Sequence, residues 1–385
     1  MSSIGEIAKF RSSIQVDTIN EFTSASGVTI DSMLIKDGKT SSNNIDWQEP
    51  TMFRNRIRNG NMAIDQRGLG VAGVANDSGS GRFAVDGTSH YGLVSSKFTA
   101  YQDASAPTGF TKSLKIVSSS SYSSGVNEMF MATQRIEGYN VADLAWGTSG
   151  AKAVTLSFWA RSSLVGTHSG SISNSAENRC YVFTFPISVA DTWEFKTVTI
   201  AGDTTTSTWL KDNGIGVQLI FNLGSGTNKI GTAGAWGSTL YYGATGSQSV
   251  VGTNGATFYI TGVQLEPGTV ATPFEFRPYG TELELCQRYY WKSQSAPNSN
   301  IQPTGYNGSG TNTIGLGAIN FKTTMRISPD VTITGTWTTI NCGQPAITGK
   351  SADGFHIYVI SSAAGLVQAY NADAALQYIE AKAEL

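Results

Sequence analysis

Short runs in which apolar and polar residues alternate recur along most of the chain. Typical runs, separated by Gly/Ser/Asn/Thr stretches, are SLKIVSSS (113–120), AVTLSFWARSS (153–163) and CYVFTFPISV (180–189). Alternation places the apolar residues on one face of a strand. Because no helical periods separate the runs, the pattern predicts an antiparallel sandwich and not a parallel α/β sheet. We therefore expect a central antiparallel β-sandwich over residues 51–291.

Weaker alternating patterns flank this central region. In residues 1–50, Val28, Ile30, Met33 and Ile35 precede an Asp37-Gly38 turn signal, which predicts a small β element. So short a sheet cannot bury both faces alone, so we expect it to attach the protein or to mediate oligomerisation. Residues 292–385 contain further short runs, among them VTITGTW and GFHIYVI, and predict a smaller C-terminal β domain. The tail DAALQYIEAKAEL fits either a last strand or a short helix.

The junction GVQLEPGTVATPFEFRPYGTELELCQRYYW (262–291) is denser in side-chain chemistry than the rest of the chain. Its prolines hold the backbone extended, and we expect Phe274 and Phe276 to pack against the sheet. Arg277 can pair locally with Glu275. TELELCQRYYWK then predicts a short helix with Thr281 as its cap. This pattern indicates a rigid seam between domains and not an active site.

The amino-acid composition supports an all-β chain and argues against nucleic acid and anionic lipid as partners. Apolar residues make up 40% of the chain and charged residues only 14%, and 43 residues are glycine. This mixture suits short strands joined by turns. The formal net charge of −2 and the absence of a basic block argue against binding to nucleic acid or anionic lipid. The start MSSIGEIAKFRSS lacks the apolar core of a signal peptide and no run reaches a membrane-spanning length, so we expect synthesis in a cytoplasm and no membrane insertion.

Candidate catalytic and metal-binding groups are sparse. The three cysteines and three histidines are far apart and form none of the spacings that bind zinc or build a triad. Glycoside hydrolysis stays open as an activity, since two carboxylates suffice for that chemistry. The acids of the central region include Asp86, Asp103, Glu128, Glu137, Asp143 and Asp191, and nothing in the sequence singles out a pair. We assign no catalytic residue, metal or cofactor, and expect that the protein is not an enzyme.

Aromatic residues carry the candidate binding chemistry. Flat Trp and Tyr side chains act as rigid, amphipathic anchors for ligands such as sugar rings. Trp159 and Trp193 fall inside strand patterns and are assigned to the core. Trp236, Tyr241 and Tyr242 lie in or beside a Gly/Ser loop and are the candidate ligand-binding residues.

Alternate arginines follow the start of the central region. FRNRIRNGNMAIDQRG (53–68) places Arg54, Arg56 and Arg58 on one side of an extended segment. An anion site is one interpretation of this pattern. The interpretation that we favour is structural pairing with carboxylates across a strand or subunit boundary.

The same stretch resembles the opening of a family of tailed-bacteriophage tail-fibre and tail proteins. QRIEGYNVADLAWGTSGAKAVTLSFWARSS (134–163), TWEFKTVTIAGDTTTSTW (192–209) and GVQLEPGTVATPFEFRPYGTELELCQRYY (262–290) are similar to successive blocks of that family. INEFTSASGVTIDSMLIKDGK (19–39) resembles a segment frequent in phage structural proteins. FKTTMRISPDVTIT (321–334) resembles the C-terminal β domain found behind them. The resemblance covers nearly the whole chain, with its blocks in order.

The resemblance implies a virion component whose central domain is a carbohydrate-binding-module-like jelly roll. It implies a homotrimer with other virion proteins as partners, and it supplies no catalytic motif. We expect a structural protein of the tail or particle surface that recognises a host surface polysaccharide. A capsid decoration or tail adaptor that binds only virion proteins stays open as an alternative, as does a polysaccharide depolymerase. A cellular carbohydrate-binding module is disfavoured by the lack of a signal peptide.

Overall fold

The computed structural model describes residues 53–293, 304–370 and 377–385, together with three strands near the N-terminus. The chain divides into two compact units, Met1–Arg54 and Asn55–Leu385. The predicted division into three domains, with boundaries after residues 50 and 291, stays a prediction. The chain is nearly all β, and one α-helix occurs among the described residues. The predicted fold class is therefore confirmed.

The first unit contains a small antiparallel sheet, as the alternating pattern predicts. Its strands are β1 (Val28–Ile30), β2 (Met33–Lys36) and β3 (Lys39–Ser42), with β2 in the centre. Val28 lies opposite Ile35 and Ile30 opposite Met33. The Asp37-Gly38 turn signal lies outside the described residues.

The second unit begins with two large antiparallel sheets packed as a sandwich. The six-stranded sheet has the order β13-β10-β18-β8-β7-β4, formed by Glu194–Ile200, Val154–Ser162, Thr257–Pro267, Ser113–Ser118, Phe98–Asp103 and Val74–Ala75. The seven-stranded sheet has the order β16-β12-β11-β14-β9-β6-β5, formed by Trp236–Gly237, Cys180–Ile187, Gly166–Ser173, Ile215–Ser225, Met129–Glu137, Thr88–Gly92 and Arg82–Val85. Strands β15 (Ile230–Gly231) and β17 (Gly243–Ala244) form a short parallel pair.

The core lies between the two sheets and follows the alternation of the sequence. On β10, Val154, Leu156, Phe158 and Ala160 are all fully buried, while Trp159 on the other face is half-buried. The ring of Phe158 packs edge-on against Phe185 and Phe221 from the facing sheet, at centroid distances of 5.0 and 5.1 Å, and so ties the two sheets together. Burying one such ring stabilises the fold by about 1.5–3 kcal/mol.

After the sandwich, helix α1 spans Tyr279–Gln287. The predicted cap at Thr281 is wrong, because the helix starts two residues earlier and Pro278 occupies the cap position without a side-chain bond. Glu282 is buried, where it accepts a hydrogen bond from the backbone N–H of Asn59 at 2.5 Å and pairs with Arg277 at 3.3 Å. Arg277 also pairs with Glu275 at 3.2 Å, as predicted.

A second, smaller hydrophobic core follows the helix, around Trp337, Phe355 and Ile379. It is built from three three-stranded sheets with the orders β19-β27-β22, β20-β26-β23 and β21-β25-β24. Their strands are β19 (Tyr290–Lys292), β20 (Thr304–Asn307), β21 (Thr313–Asn320), β22 (Asp330–Thr334), β23 (Thr338–Ile340), β24 (Ala346–Ser351), β25 (Gly354–Ile360), β26 (Gly365–Tyr370) and β27 (Tyr378–Lys382). Within the tail that was left open between strand and helix, Tyr378–Lys382 form strand β27.

Arginines from the segment 53–68 pair with carboxylates, and two of them, Arg58 and Arg67, join the sandwich to Glu384 beside the smaller core. Arg56 pairs with Asp143 at 2.6 Å, and Arg58 pairs with Glu384 at 3.5 Å while its guanidinium lies over the ring of Tyr289 at 3.8 Å. Arg67 pairs with the same Glu384 at 2.8 Å. The structural interpretation is confirmed for Arg56 and Arg58.

Two histidines buried in the sandwich make its stability depend on pH. His90 is fully buried edge-on to Phe98, and burial lowers the pKa of His90 to about 4. His168 is stacked between Phe185 and Phe258, and burial lowers the pKa of His168 as well. Both rings take up protons more readily in the unfolded chain, so their contribution to stability is lost as the pH falls below about 6.5.

We expect the free energy of unfolding to lose about 3 kcal/mol through His90 alone between pH 7 and pH 4. Burial also raises the pKa of Asp86 to about 6, which acts in the opposite direction between about pH 6 and 4. The histidine effect is therefore measured as the difference between the wild type and His90→Gln in urea unfolding at both pH values. An equal dependence on pH in the two proteins would contradict it.

Candidate functional site

An open groove lies on the face of the six-stranded sheet that points away from the core. It encloses about 300 Å³. Ser157 and Trp159 of β10 share its sheet face, since they alternate with the core residues Leu156 and Phe158. The other lining residues are Thr108, Gly109, Phe110, Phe195, Gly262, Thr272, Pro273, Phe274 and Phe276.

Five aromatic rings make the groove a preformed apolar surface. Phe110, Phe274 and Phe276 contact one another with centroid distances of 4.9–5.3 Å, and Trp159 lies 5.4 Å from Phe195. Phe276 is 58% exposed and Phe195 is 48% exposed. Exposed aromatic residues grouped around one concavity are typical of an interaction site, whereas single exposed apolar residues are ordinary.

Gly262 lets the rings approach one another across β18. Its φ of +61° falls in the left-handed region, at the register shift between β10 and β18. A Cβ atom at this position would lie 2.7 Å from Cζ of Phe110 and 3.2 Å from Cδ1 of Trp159. A side chain here would therefore clash with two lining residues as well as strain the backbone.

The segment that carries Phe274 and Phe276 is fixed to β18 by two buried polar side chains. Glu266 accepts hydrogen bonds from the backbone N–H of Thr272 at 2.8 Å and from its hydroxyl at 2.6 Å. The amide oxygen of Gln264 accepts the N–H of Glu275 at 2.8 Å. Because both ends of this short segment are anchored, the two rings are held in place before any ligand binds.

Beside the groove, four side chains face one another across four strands. Tyr101, Lys115, Tyr259 and Arg161 occupy directly opposite positions on β7, β8, β18 and β10, and we call them the cationic row. The Lys115 ammonium and the Arg161 guanidinium lie 5.5 and 4.9 Å from the centre of the Tyr259 ring. Both cations are paired with aspartates: Lys115 with Asp103 at 3.3 Å, and Arg161 with the exposed Asp191 at 3.5 Å.

The candidates Trp236, Tyr241 and Tyr242 lie elsewhere, at the seven-stranded sheet. Trp236 is half-buried, packs against Trp146 and Trp209, and donates its indole N–H to the carbonyl oxygen of Ala201 at 2.7 Å. Tyr241 is half-buried beside Cys180 and Val182, and Tyr242 is 7% exposed beside Met131 and Ile220. The structure does not bring the three together with the groove, and their role in binding stays a prediction.

The groove was not predicted from the sequence, because Trp159 was assigned to the core. The signal was present in VTLSFWARS, where the core residues occupy one register and Trp159 shares the other with Ser157 and Arg161. Trp193 is likewise half-buried, with its ring 5.9 Å from that of Tyr259. The contribution of Phe110 was beyond sequence analysis, because it comes from a loop distant in the chain.

The carboxylates that left hydrolysis open each have a partner. Asp86 pairs with Arg67 at 3.2 Å, Glu137 with Arg288 at 2.5 Å, and Glu128 accepts the hydroxyl of Tyr122 at 2.9 Å; Asp103, Asp143 and Asp191 pair as described above. Across residues 53–293, 304–370 and 377–385, no group of three or more His, Cys, Asp or Glu side chains is placed to hold a metal ion. No helix in these same ranges is long and apolar enough to cross a membrane.

No family model and no curated protein sequence matches the chain. Solved structures to which the chain is similar include the enzymatically active domain of tailspike protein 4 of bacteriophage CBA120, at 14% identity and a TM-score of 0.28 over 56% of this chain and 22% of that one. They also include the module TmCBM61 in complex with β-1,4-galactotriose, at 9% identity and a TM-score of 0.27, covering 56% and 99% of the two chains. The family 11 carbohydrate-binding module of Clostridium thermocellum in complex with a mixed-linked tetrasaccharide is 10% identical, with a TM-score of 0.26 over 52% and 98%.

Proposed function

We propose that this protein is a non-catalytic structural component of a tailed-phage virion that binds host-surface polysaccharide through the aromatic groove. The observation that carries the binding proposal is the group of five aromatic rings, two exposed and three half-buried, that line one concavity around Trp159. The virion assignment rests on the ordered sequence blocks that resemble tail-fibre and tail proteins.

The physical case for a sugar ligand is the shape and chemistry of the groove. Sugar rings present flat faces of C–H groups, which bury favourably against aromatic rings, and their rims need hydrogen-bonding partners. The groove offers the rings, and its lining hydroxyls and the adjacent cationic row offer polar contacts. Binding without hydrolysis is supported by the six candidate carboxylates, each of which has a basic or hydroxyl partner.

Avidity would compensate for a weak single site. We propose a homotrimer on the particle surface, so that several grooves engage one polysaccharide-coated cell at once. Uncharged contacts of this kind are only weakly screened by salt. A decoration or adaptor role is the second candidate, and it differs by predicting no binding to cells.

We expect the purified protein, with its mass measured by light scattering, to bind host cells and to block phage adsorption. Phe276→Ala and Trp159→Ala should each weaken cell binding at least about tenfold, because an aromatic anchor in a binding site contributes roughly 2 kcal/mol or more. Tyr139→Ala is the matched control, since Tyr139 is 63% exposed on the same sandwich but lies outside the groove. A folded protein that neither binds cells nor competes with phage would overturn the proposal and favour the adaptor role.

A further inference from the structure

Polar side chains are scarce among the residues that line the groove. Of the lining side chains only Thr108, Ser157, Thr272 and, through its indole N–H, Trp159 carry a polar group, and the hydroxyl of Thr272 is already donated to Glu266. A sugar hydroxyl pressed into this surface would exchange its bonds with water for contact with phenyl rings. Leaving such a group unpaired costs about 1–3 kcal/mol.

Charge does not favour an acidic sugar either. The two cations of the cationic row lie about 7 Å further along the strands from the groove. Each is paired with an aspartate, Lys115 with Asp103 and Arg161 with Asp191. A carboxylate on a ligand would share these partly exposed cations with their aspartates, so it gains less than it would beside an unpaired cation.

Resting on the proposed function, we infer that the groove binds a neutral sugar that carries a methyl group, as a 6-deoxyhexose or an N- or O-acetylated sugar does. The methyl group enters the space between the Phe110, Phe274 and Phe276 cluster and the Trp159 and Phe195 pair. The ring face of the sugar lies on the aromatic surface, and the remaining hydroxyls point to solvent and to the cationic row.

Matched sugars that differ by one group test this inference. L-fucose is compared with L-galactose, L-rhamnose with L-mannose, and N-acetylglucosamine with glucose, with glucuronic acid as the charged probe. We expect the methyl-bearing member of each pair to bind at least about fourfold more tightly, the gain from burying one methyl-sized group. In saturation-transfer NMR, the methyl protons of the bound sugar should receive the strongest saturation.

Variants of the two exposed groove residues, Phe276 and Phe195, test whether the preference for a methyl group arises in the groove. Because both side chains are exposed, their loss should leave the fold intact. Phe276→Ala and Phe195→Ala should abolish the preference within each pair, and Tyr139→Ala should retain it. Two results overturn the inference while glycan binding stands: equal or reversed affinities within the pairs, or groove-dependent binding to cells with no response to any methyl-bearing sugar. If neither sugars nor cells bind the wild type, the proposed function itself fails.

Discussion

Replacing Glu137 with alanine is expected to lower the free energy of unfolding by about 3–5 kcal/mol. Glu137 is 1% exposed at the end of β9 and accepts two hydrogen bonds from Arg288, at 2.8 and 2.5 Å, and one from the hydroxyl of Tyr289 at 2.7 Å. The change leaves a half-buried guanidinium and a buried phenol without their acceptor. Burial raises the pKa of Tyr289 to about 12, so the phenol stays a donor at neutral pH.

Chemical denaturation followed by circular dichroism measures this loss. Asp143→Ala is the control, because its ion pair with Arg56 is 43% exposed on the aspartate side and should contribute at most about 1 kcal/mol. Glu137→Gln should fall between the two, since it keeps an acceptor for Tyr289 but removes the charge. Equal stabilities for Glu137→Ala and Asp143→Ala would show that the Glu137 contacts contribute little.

Asp203→Ala is expected to have a comparable effect through a different cluster. Asp203 is 1% exposed and accepts two hydrogen bonds from Arg179, at 2.9 and 2.6 Å, and one from the indole N–H of Trp209 at 3.1 Å. Burial opposes its charge, but the hydrogen bonds from Arg179 and Trp209 outweigh burial and hold the pKa of Asp203 below its ordinary value. Its contribution is therefore present at neutral pH and is lost in acid, as the pH falls below the ordinary carboxylate pKa and through the lowered one.

We expect Asp203→Ala to lower the free energy of unfolding by about 3–5 kcal/mol, because it leaves the mostly buried guanidinium of Arg179 without its acceptor. The rings of Trp146, Trp209 and Trp236 meet at centroid distances of 4.8–5.6 Å, so their near-ultraviolet circular dichroism should change with the variant. Asp330→Ala, at an ion pair 3.9 Å long with an aspartate 73% exposed, should change neither quantity measurably. An unchanged tryptophan signal in Asp203→Ala would show that Asp203 does not hold the three tryptophan rings in place.

The alternation of apolar residues was enough to predict the sandwich, since β10 and β12 coincide with the alternating runs at 153–163 and 180–189. It also predicted the N-terminal sheet, in which the pairing of Lys36 with Lys39 matches the position of the turn signal between β2 and β3. The helix start was predicted less well. Thr281 is a residue type that often caps helices, but Pro278 has an extended backbone and the helix begins directly after it, at Tyr279. Glu282 is buried, where it contacts Asn59 and Arg277.

The groove could not be predicted because its parts are far apart in the chain. Phe110, Trp159, Phe195 and Phe274 come together only through strand order, which places β10 between β13 and β18. The loop composition that favoured Trp236 describes its surroundings along the chain, whereas its neighbours in space are Trp146 and Trp209. Exposure of an aromatic ring is decided by those neighbours.

Gln264 and Glu266, which hold the segment that carries Phe274 and Phe276, also bear on how the sequence of the groove can vary. Phe110, Phe274 and Phe276 lie outside the β-strands, while Gln264 and Glu266 lie on β18. The three phenylalanines can therefore be exchanged without disturbing the register of the sheet. Variation at these three positions changes the chemistry of the groove and leaves the sandwich that carries it intact.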